Sequence, residues 1–381
     1  MHALKVTGVS LVVLFASAQA YAQSSVTLYG IVDSGVGYVH NSGGKATQIE
    51  MMSGLAGPRW GLKGTEDLGN GLKAIFNLEN GFSVGTGQFA QGGKEFGRQA
   101  WVGLASSQYG TLTLGRQYDP ETDLTQPLTA DWVYGALFAS PGDVDNYDDS
   151  ARFNNSVKWT SAEYAGLKAE AMYALGGVAG SVSSGQTWSG GLGYHRGPFA
   201  LGAGYTHIDN GNASLVARGT STSDSLFNSP VNAGYASAKS VDIARIAGQY
   251  VSGNLTAQAA YSYSTYNRDG SSSFASNEKY HNVSAFVAYN FTPAMTAGIG
   301  YNYTRALGDS SAKYHSFELG ANYNLSKRTT IYAIAAYVHA MGEQRATDGS
   351  LSAAQAVVGS FDIASGASTQ AITVVGIAHR F

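Results

Sequence analysis

The sequence predicts an all-β chain, a sixteen-stranded antiparallel barrel that spans a membrane. Three observations carry this expectation. The composition is that of strands and turns: Gly 49, Tyr 24 and only 13% charged residues, against roughly 25% charged in ordinary soluble proteins. Mean hydropathy is nonetheless −0.10, so the low charge does not come from long apolar segments. Hydrophobic residues recur with a period of two, and the connections between such stretches alternate between short and long.

The chain opens with "MHALKVTGVSLVVLFASAQAYA". A weakly basic start (His2, Lys5) precedes an apolar run from Val6 to Phe15 and the small-residue site Ala20-Tyr21-Ala22. This is the pattern of an export signal, expected to occupy 1–22 and to be cleaved before Gln23. The alternative, a membrane anchor, needs a run long enough to cross a hydrocarbon core of about 30 Å, and this run is too short. No later stretch of about 18 apolar residues exists, so no transmembrane helix is expected. Residues 23–381 then form one barrel domain.

Strand character shows in "GLKAIFNLENGF" (71–82). Leu72, Phe76, Leu78 and Phe82 share one parity, Lys73, Asn77 and Glu79 the other. Successive strand side chains point to opposite faces, so one face is apolar and one polar. In "RFNNSVKWT" Phe153, Val157 and Trp159 oppose Arg152, Asn154, Ser156 and Lys158. Seven short connections (67–70, 107–110, 163–166, 196–198, 253–254, 292–294 and 326–328) alternate with eight longer ones, near 41–48, 85–95, 119–151, 176–186, 209–237, 267–277, 307–313 and 342–366. Fifteen connections join sixteen strands. A soluble β-sandwich would need one dry face per strand, which the charged and amide-rich second face excludes. A propeller would group its strands in fours, which this alternation does not.

A sheet in hydrocarbon must close, because each unpaired edge group costs several kcal/mol. About sixteen strands enclose a lumen too wide for side chains to fill. Tyrosines near strand ends suit the two interfacial girdles, although ordinary sheet positions would also suit them. The last strand ends on an aromatic, with Thr373, Val375, Ile377 and Phe381 on one parity. A terminal aromatic of this kind resembles the signal read by the outer-membrane assembly machinery, so Phe381 is expected to serve there.

One connection is unlike the others. Between Arg116 and Arg152 there is no basic residue but eight acids: Asp119, Glu121, Asp123, Asp131, Asp143, Asp145, Asp148 and Asp149. The plain reading is a solvated surface loop. The parity of its neighbours points elsewhere. Trp60 and Leu62 face lipid, so Arg59, Gly61 and Lys63 face the lumen, and Arg152 and Lys158 share the polar parity of their strand. An acidic loop folded inward would face this positive wall, and charged pore walls set ion selectivity. Asp123 and Asp131 are the expected acids of the opposite wall. Arg116 shares parity with Leu112 and Leu114 and is expected to point outward, at the membrane edge or in a subunit interface. In "FGRQAWVGL" the parity is ambiguous, since Val102 and Leu104 oppose Trp101.

The stretches "SSVTLYGIVDSGVGYV", "PRWGLKGTEDLGNGLKAIFNLENGF", "GRQAWVGLASSQYGTLTLGRQYD" and "GIAHRF" resemble the general diffusion porins of Gram-negative bacteria, in their β-proteobacterial (Burkholderiales-type) branch. The resemblance covers the whole mature chain. It implies a sixteen-stranded barrel, a homotrimer and a third loop folded inward, here about 118–151. By position it makes Arg59, Arg98 and Arg152 the arginine ladder of the pore eyelet, with Arg98 inward and Trp101 outward. The sequence departs from enterobacterial members at Ile31, where those carry a pore lysine, and its third loop lacks their Pro-Glu-Phe-Gly-Gly turn. The expected function is passive diffusion of small hydrophilic solutes and ions across the outer membrane, with a preference for anions. A solute-specific channel is the alternative, disfavoured because the tyrosines gather at strand ends. Outer-membrane lipid and lipopolysaccharide are expected neighbours.

Other chemistry finds no support. Two "GGK" stretches (43–45 and 92–94) lack the spacing and the following Ser/Thr of a phosphate loop. The eight histidines are scattered without metal-ligand spacing, and no G-x-S-x-G elbow occurs. No enzyme, cofactor or metal is expected. An adhesin role would sit in loops 209–237 and 342–366. A net charge of −3 gives no reason to expect nucleic acid.

Overall fold

The computed structural model describes residues 24–219 and 226–381; the expected export signal lies outside them. Seventeen hydrogen-bonded segments form one closed antiparallel sheet. Two of these, Lys45–Met52 and Arg59–Gly69, pair in succession with β1 (Ser25–Ser42) and make a single interrupted stave, β2. Counting them as one leaves sixteen staves. The rest are β3 (Leu72–Gly81), β4 (Gln99–Ser106), β5 (Gly110–Gln117), β6 (Phe153–Thr160), β7 (Leu167–Ala174), β8 (Thr187–Arg196), β9 (Phe199–Asp209), β10 (Ser240–Ser252), β11 (Leu255–Asn267), β12 (Glu278–Asn290), β13 (Met295–Leu307), β14 (Lys313–Asn324), β15 (Thr329–Met341) and β16 (Thr369–Arg380).

β16 pairs with β1, from Ile31 opposite Arg380 up to His40 opposite Ala371. The last residue completes this seam: Phe381 N–H donates to Gly30 O and Gly30 N–H to Phe381 O, both at 3.1 Å. The Phe381 ring lies over Gly30, where a Cβ would sit 2.6 Å from it. Outward positions such as Val375, Ile377, Leu201 and Ile299 are exposed. The membrane's hydrocarbon covers such a band.

Three local expectations are corrected. The first long connection is a tight turn: β1 runs to Ser42 and β2 resumes at Lys45, because Gly43 and Gly44 supply the positive φ the turn needs. The irregular stretch falls later, at 53–58, inside β2. Trp101 faces inward with Gln99, while Val102 and Leu104 on the other parity are exposed. The indole Nε1 donates to Gln99 Oε1 at 2.8 Å. Phe153, expected outward with Val157 and Trp159, is buried among inner-wall residues such as Met172 and Ile208. Asn155 adopts φ 53°, and the pairing shifts opposite Gly115 and Gln117. This bulge turns the lower and upper halves of β6 to different faces.

The interior is also fuller than a sixteen-stave lumen suggests. Tyr134, Leu137 and Phe138 of the third loop and Val357 and Val358 of the last loop pack with inner-wall residues Ile334, Val338, Ile372 and Val374. Tyr235, Tyr266, Tyr280 and Tyr314 join them. Many tyrosines therefore pack inside rather than in a girdle. Tyr250, Tyr289 and Tyr323 do stand exposed near the short turns.

Candidate functional site

The acidic connection enters the barrel. Asp119 caps the helix α1 (Pro120–Thr125), its carboxylate accepting from the Thr122 N–H at 3.1 Å. Proline at the first helical position suits the same end. α1 lies on the inner face of β8 and β9, where Gly204 leaves room for Glu121: a Cβ there would meet the Glu121 Cα at 2.6 Å. Asp119 also accepts from Thr206 Oγ1 at 3.0 Å. Glu121 pairs with Arg245 Nε at 2.8 Å, both side chains wholly buried. Arg245 further donates to Thr125 Oγ1 at 3.2 Å and lies 4.8 Å from the Tyr147 ring centre. Asp145 accepts from Ser262 and from Asn282 on the wall. Asp143 accepts the Asp148 N–H at 2.9 Å. Asp119, Glu121, Asp143 and Asp145 thus fix the loop and its wall contacts.

Asp123, Asp131, Asp148 and Asp149 instead line a cavity of about 1080 Å³. Its positive side is built by neighbouring staves and contains Arg59, Arg98, Arg152, Lys158, Lys168 and Arg380. Parity places Arg59 and Lys158. Arg98 precedes β4, so strand parity does not govern it; its side chain turns inward to Glu79 at 2.7 Å. Lys63 lies further along the same inner face of β2, with its ammonium 5.2 Å from the centre of the Tyr29 ring.

Four of the six cavity cations are neutralised locally. Arg98 pairs with Glu79 at 2.7 Å, Arg152 with Asp149 at 2.8 Å, Lys158 with Asp123 at 2.5 Å and Lys168 with Glu170 at 2.6 Å. Arg59 and Arg380 line the same cavity and make no ion pair among the described residues. Arg59 donates to Gly57 O at 3.2 Å. Three cavity carboxyls also lack a cation partner. Burial pushes Asp131 up to about 8, although Gln126 Nε2 and Thr129 Oγ1 donate to it. Burial with Asp143 nearby pushes Asp362 up to about 7. Asp148 is raised well above the usual carboxylate range by burial and then by Asp149, Asp131 and Asp143.

A second cavity of about 290 Å³ lies toward the short-turn rim, lined by Asn290, Thr296 and Asn324. Leu55, Val133 and Arg380 border both cavities. Leu55 belongs to the break in β2, which bows inward. Leu55 N–H and Ala56 N–H donate to Asp33 Oδ2 at 2.8 and 2.6 Å, and Tyr332 O–H to Asp33 Oδ1 at 2.6 Å. Val133 belongs to the third-loop helix α2 (Ala130–Tyr134).

Arg116 finds partners within its own chain. Its Nε donates to Gly97 O at 2.8 Å and its NH1 to Asn154 Oδ1 at 2.6 Å. Sequence reasoning missed Glu79 as the counter-ion of Arg98, and Arg245 and Arg380 altogether. Inward parity was available for all three: Arg245 alternates with the exposed Ile246, and Arg380 follows the buried Ala378. Among the described residues no group of His, Asp and Glu has metal-holding geometry.

The comparisons agree with this architecture. The family model described as Gram-negative porin matches residues 8–342. An outer membrane porin protein of Bordetella pertussis is 30% identical over 366 residues, covering 84% of this chain and 90% of that protein. Outer membrane porin protein 32 of Delftia acidovorans is 30% identical over 353 residues, covering 88% and 90%. Among solved structures, the anion-selective porin from Comamonas acidovorans aligns with a TM-score of 0.70 at 24% identity, covering 94% of this chain and 100% of that one.

Proposed function

The chain belongs to the Gram-negative porin family and forms a passive-diffusion channel in the outer membrane, and we propose that its ion preference is set by two unpaired arginines, Arg59 and Arg380. The observation that carries this reading is the balance of charge in the cavity. Four cations are cancelled by neighbouring acids. That leaves two positive charges against three carboxyls that burial holds toward the neutral form.

Hydrophilic solutes enter a cavity whose low-dielectric walls focus the field of these side chains. A unit charge about 10 Å from an anion, at an effective dielectric of about 20, contributes about 1.7 kcal/mol, enough for roughly a tenfold preference. Arg98 and Arg152, held by their acids, shape the wall and present partial charge to a passing anion. Asp123, paired with Lys158, and Asp131 line the same cavity. The loop 118–151 narrows the passage, with Val133 and Leu55 both lining the two cavities. No step in this process needs a catalytic group, cofactor or energy source.

A preference for anions is also stated in the name of the Comamonas structure. We further propose a homotrimer, an export signal over 1–22, and a role for Phe381 in recognition by the assembly machinery. Arg116, satisfied internally, then supports the rim of its own barrel and leaves the subunit contact to other side chains. The test is the zero-current potential across a planar bilayer under a salt gradient. An anion-signed potential that moves toward cations in Arg59→Ser and Arg380→Ser supports the reading. An unchanged potential in both variants removes these two residues from control of selectivity.

A further inference from the structure

One large aromatic side chain stands in the lumen instead of packing. Trp159 and Trp188 lie on the outer wall and are 42% and 44% exposed. Trp132 is 62% exposed, more than either, yet it lines the inner cavity. Its place on α2 explains this. Tyr134, two residues on and about 200° further round the helix, is wholly buried and packs edge-on against Phe286 of the wall, with ring centres 5.8 Å apart. That anchor turns the indole of Trp132 the other way, into the cavity. Neither its ring nor its Nε1–H has a partner among the described residues. A large apolar group left facing water is the informative exception to the burial of such groups.

The surroundings say what would cover it. Val133, the next residue, borders both cavities, and so does Arg380. A flat apolar surface and a guanidinium with no ion pair among the described residues are therefore both placed at the throat between the cavities. Two further rings line the larger cavity. The Trp101 indole is fixed through Gln99 Oε1 at 2.8 Å, and Phe361 of the last loop packs on one side against the apolar filling of the lumen. A sugar stacked on Trp132 would also need polar partners for its hydroxyls beside the ring. The nearest offers few: Val133 is apolar, and the Asp131 carboxyl already accepts from Gln126 and Thr129. An aromatic ring needs no such partners, and one anionic group on it suits one arginine.

We propose that Trp132 and Arg380 form a weak binding site, at the throat of the channel, for aromatic monocarboxylates: flat rings that bear one carboxylate. The ring lies offset on the indole, in the arrangement aromatic pairs favour at centre distances of about 4.5–7 Å. It covers apolar surface that otherwise faces water. The carboxylate oxygens accept from the fork of the Arg380 guanidinium, a charge-assisted contact of the strong kind. No bond forms or breaks. The site raises the local concentration of these solutes where the passage is narrow, and it must stay weak enough to release them onward. This inference deepens the channel reading and rests on it, since it names a solute class for the same cavity.

The test uses the full folded channel in a planar bilayer at about pH 6, where burial keeps Asp131 and Asp362 largely neutral. Single-channel chloride conductance is titrated with benzoate, with cyclohexanecarboxylate of the same charge, with acetate and with a neutral disaccharide. Benzoate is expected to halve the conductance at a concentration at least about threefold below that of cyclohexanecarboxylate, the margin aromatic pairing adds, and about tenfold below that of acetate. Trp132→Ala should abolish the preference for benzoate over cyclohexanecarboxylate, and Trp132→Phe should keep most of it. An unchanged unfolding temperature and an unchanged potential in chloride alone verify the fold of both variants. Arg380→Ser should weaken block by both carboxylates. A benzoate preference kept in full by Trp132→Ala overturns the proposal, and so does unweakened benzoate block in Arg380→Ser. Block by the disaccharide at or below the benzoate concentration also overturns it, by showing a sugar platform instead. Failure of the ion-preference reading is a separate result, seen in chloride gradients with no aromatic solute present.

Discussion

Arg59 and Lys158 both line the inner cavity, yet their substitution should differ in meaning. Removing the neutral pair together, in Lys158→Ser/Asp123→Asn, takes away no net charge and should leave the zero-current potential unchanged. Arg59→Ser removes an uncancelled charge and should move the potential toward cations. A shift in the double variant as large as that in Arg59→Ser would contradict the pairing. The carboxyls add a pH dependence. Asp131 and Asp362 have raised values, about 8 and about 7. Each is neutral below its value and gains a negative charge as pH rises through it. Anion preference should therefore be strongest near pH 6 and weaken toward pH 9, and Asp131→Asn should blunt that change while altering little at pH 6. A preference that strengthens with rising pH would contradict the assignment. At this scale the sequence was most legible where strands alternate strictly: Arg59, Lys63 and Lys158 follow from parity alone. Strict parity misplaces Trp101 and Phe153, because a strand start at Gln99 and a bulge opposite Gly115 and Gln117 interrupt it. The role of Glu79 needed knowledge of what stands beside it, which one strand's pattern does not contain.

The third loop shows why an acidic run need not be a solvated one. Half of its acids face wall hydroxyls, amides or Arg245, and only the others reach the cavity. Arg245→Ala would leave Glu121 buried without its partner, a change that typically costs about 3–5 kcal/mol. The expected outcome is an undocked loop: noisier single-channel currents and a lower unfolding temperature. Replacing both groups together, in Arg245→Met/Glu121→Met, should recover much of that stability. Quiet currents and unaltered unfolding in Arg245→Ala would show that the loop is held by other contacts. The loop's existence was plain in the sequence; its seat was not. That seat depends on Gly204 and Tyr147 being brought to Arg245 from distant parts of the chain. The break in β2 at 53–58 was likewise hidden, because "SGLAGP" reads as an ordinary loop and gives no sign of leaning on Asp33 and Tyr332.

The barrel as a whole stands or falls on closure. Phe381 supplies the last two backbone bonds of the seam and covers Gly30. Gly30→Val should lower the fraction of folded, heat-modifiable barrel recovered from outer membranes, since a Cβ has no room there. A normal yield would mean that the ring moves aside freely. Stave number and chain direction were readable from the alternation of short and long connections. How much of the lumen the loops refill was not, because it depends on apolar residues such as Phe138, Val357 and Val358 meeting far from their neighbours in sequence. On the proposed reading, Arg59 and Arg380, set against titratable carboxyls, decide the sign of a water-filled channel. The most direct measurement is the zero-current potential of the purified protein in a planar bilayer under a salt gradient, recorded at about pH 6 and about pH 9. An anion-signed potential is expected at the lower pH, shrinking or reversing at the higher. A cation-signed potential at the lower pH, or one independent of pH, would contradict it.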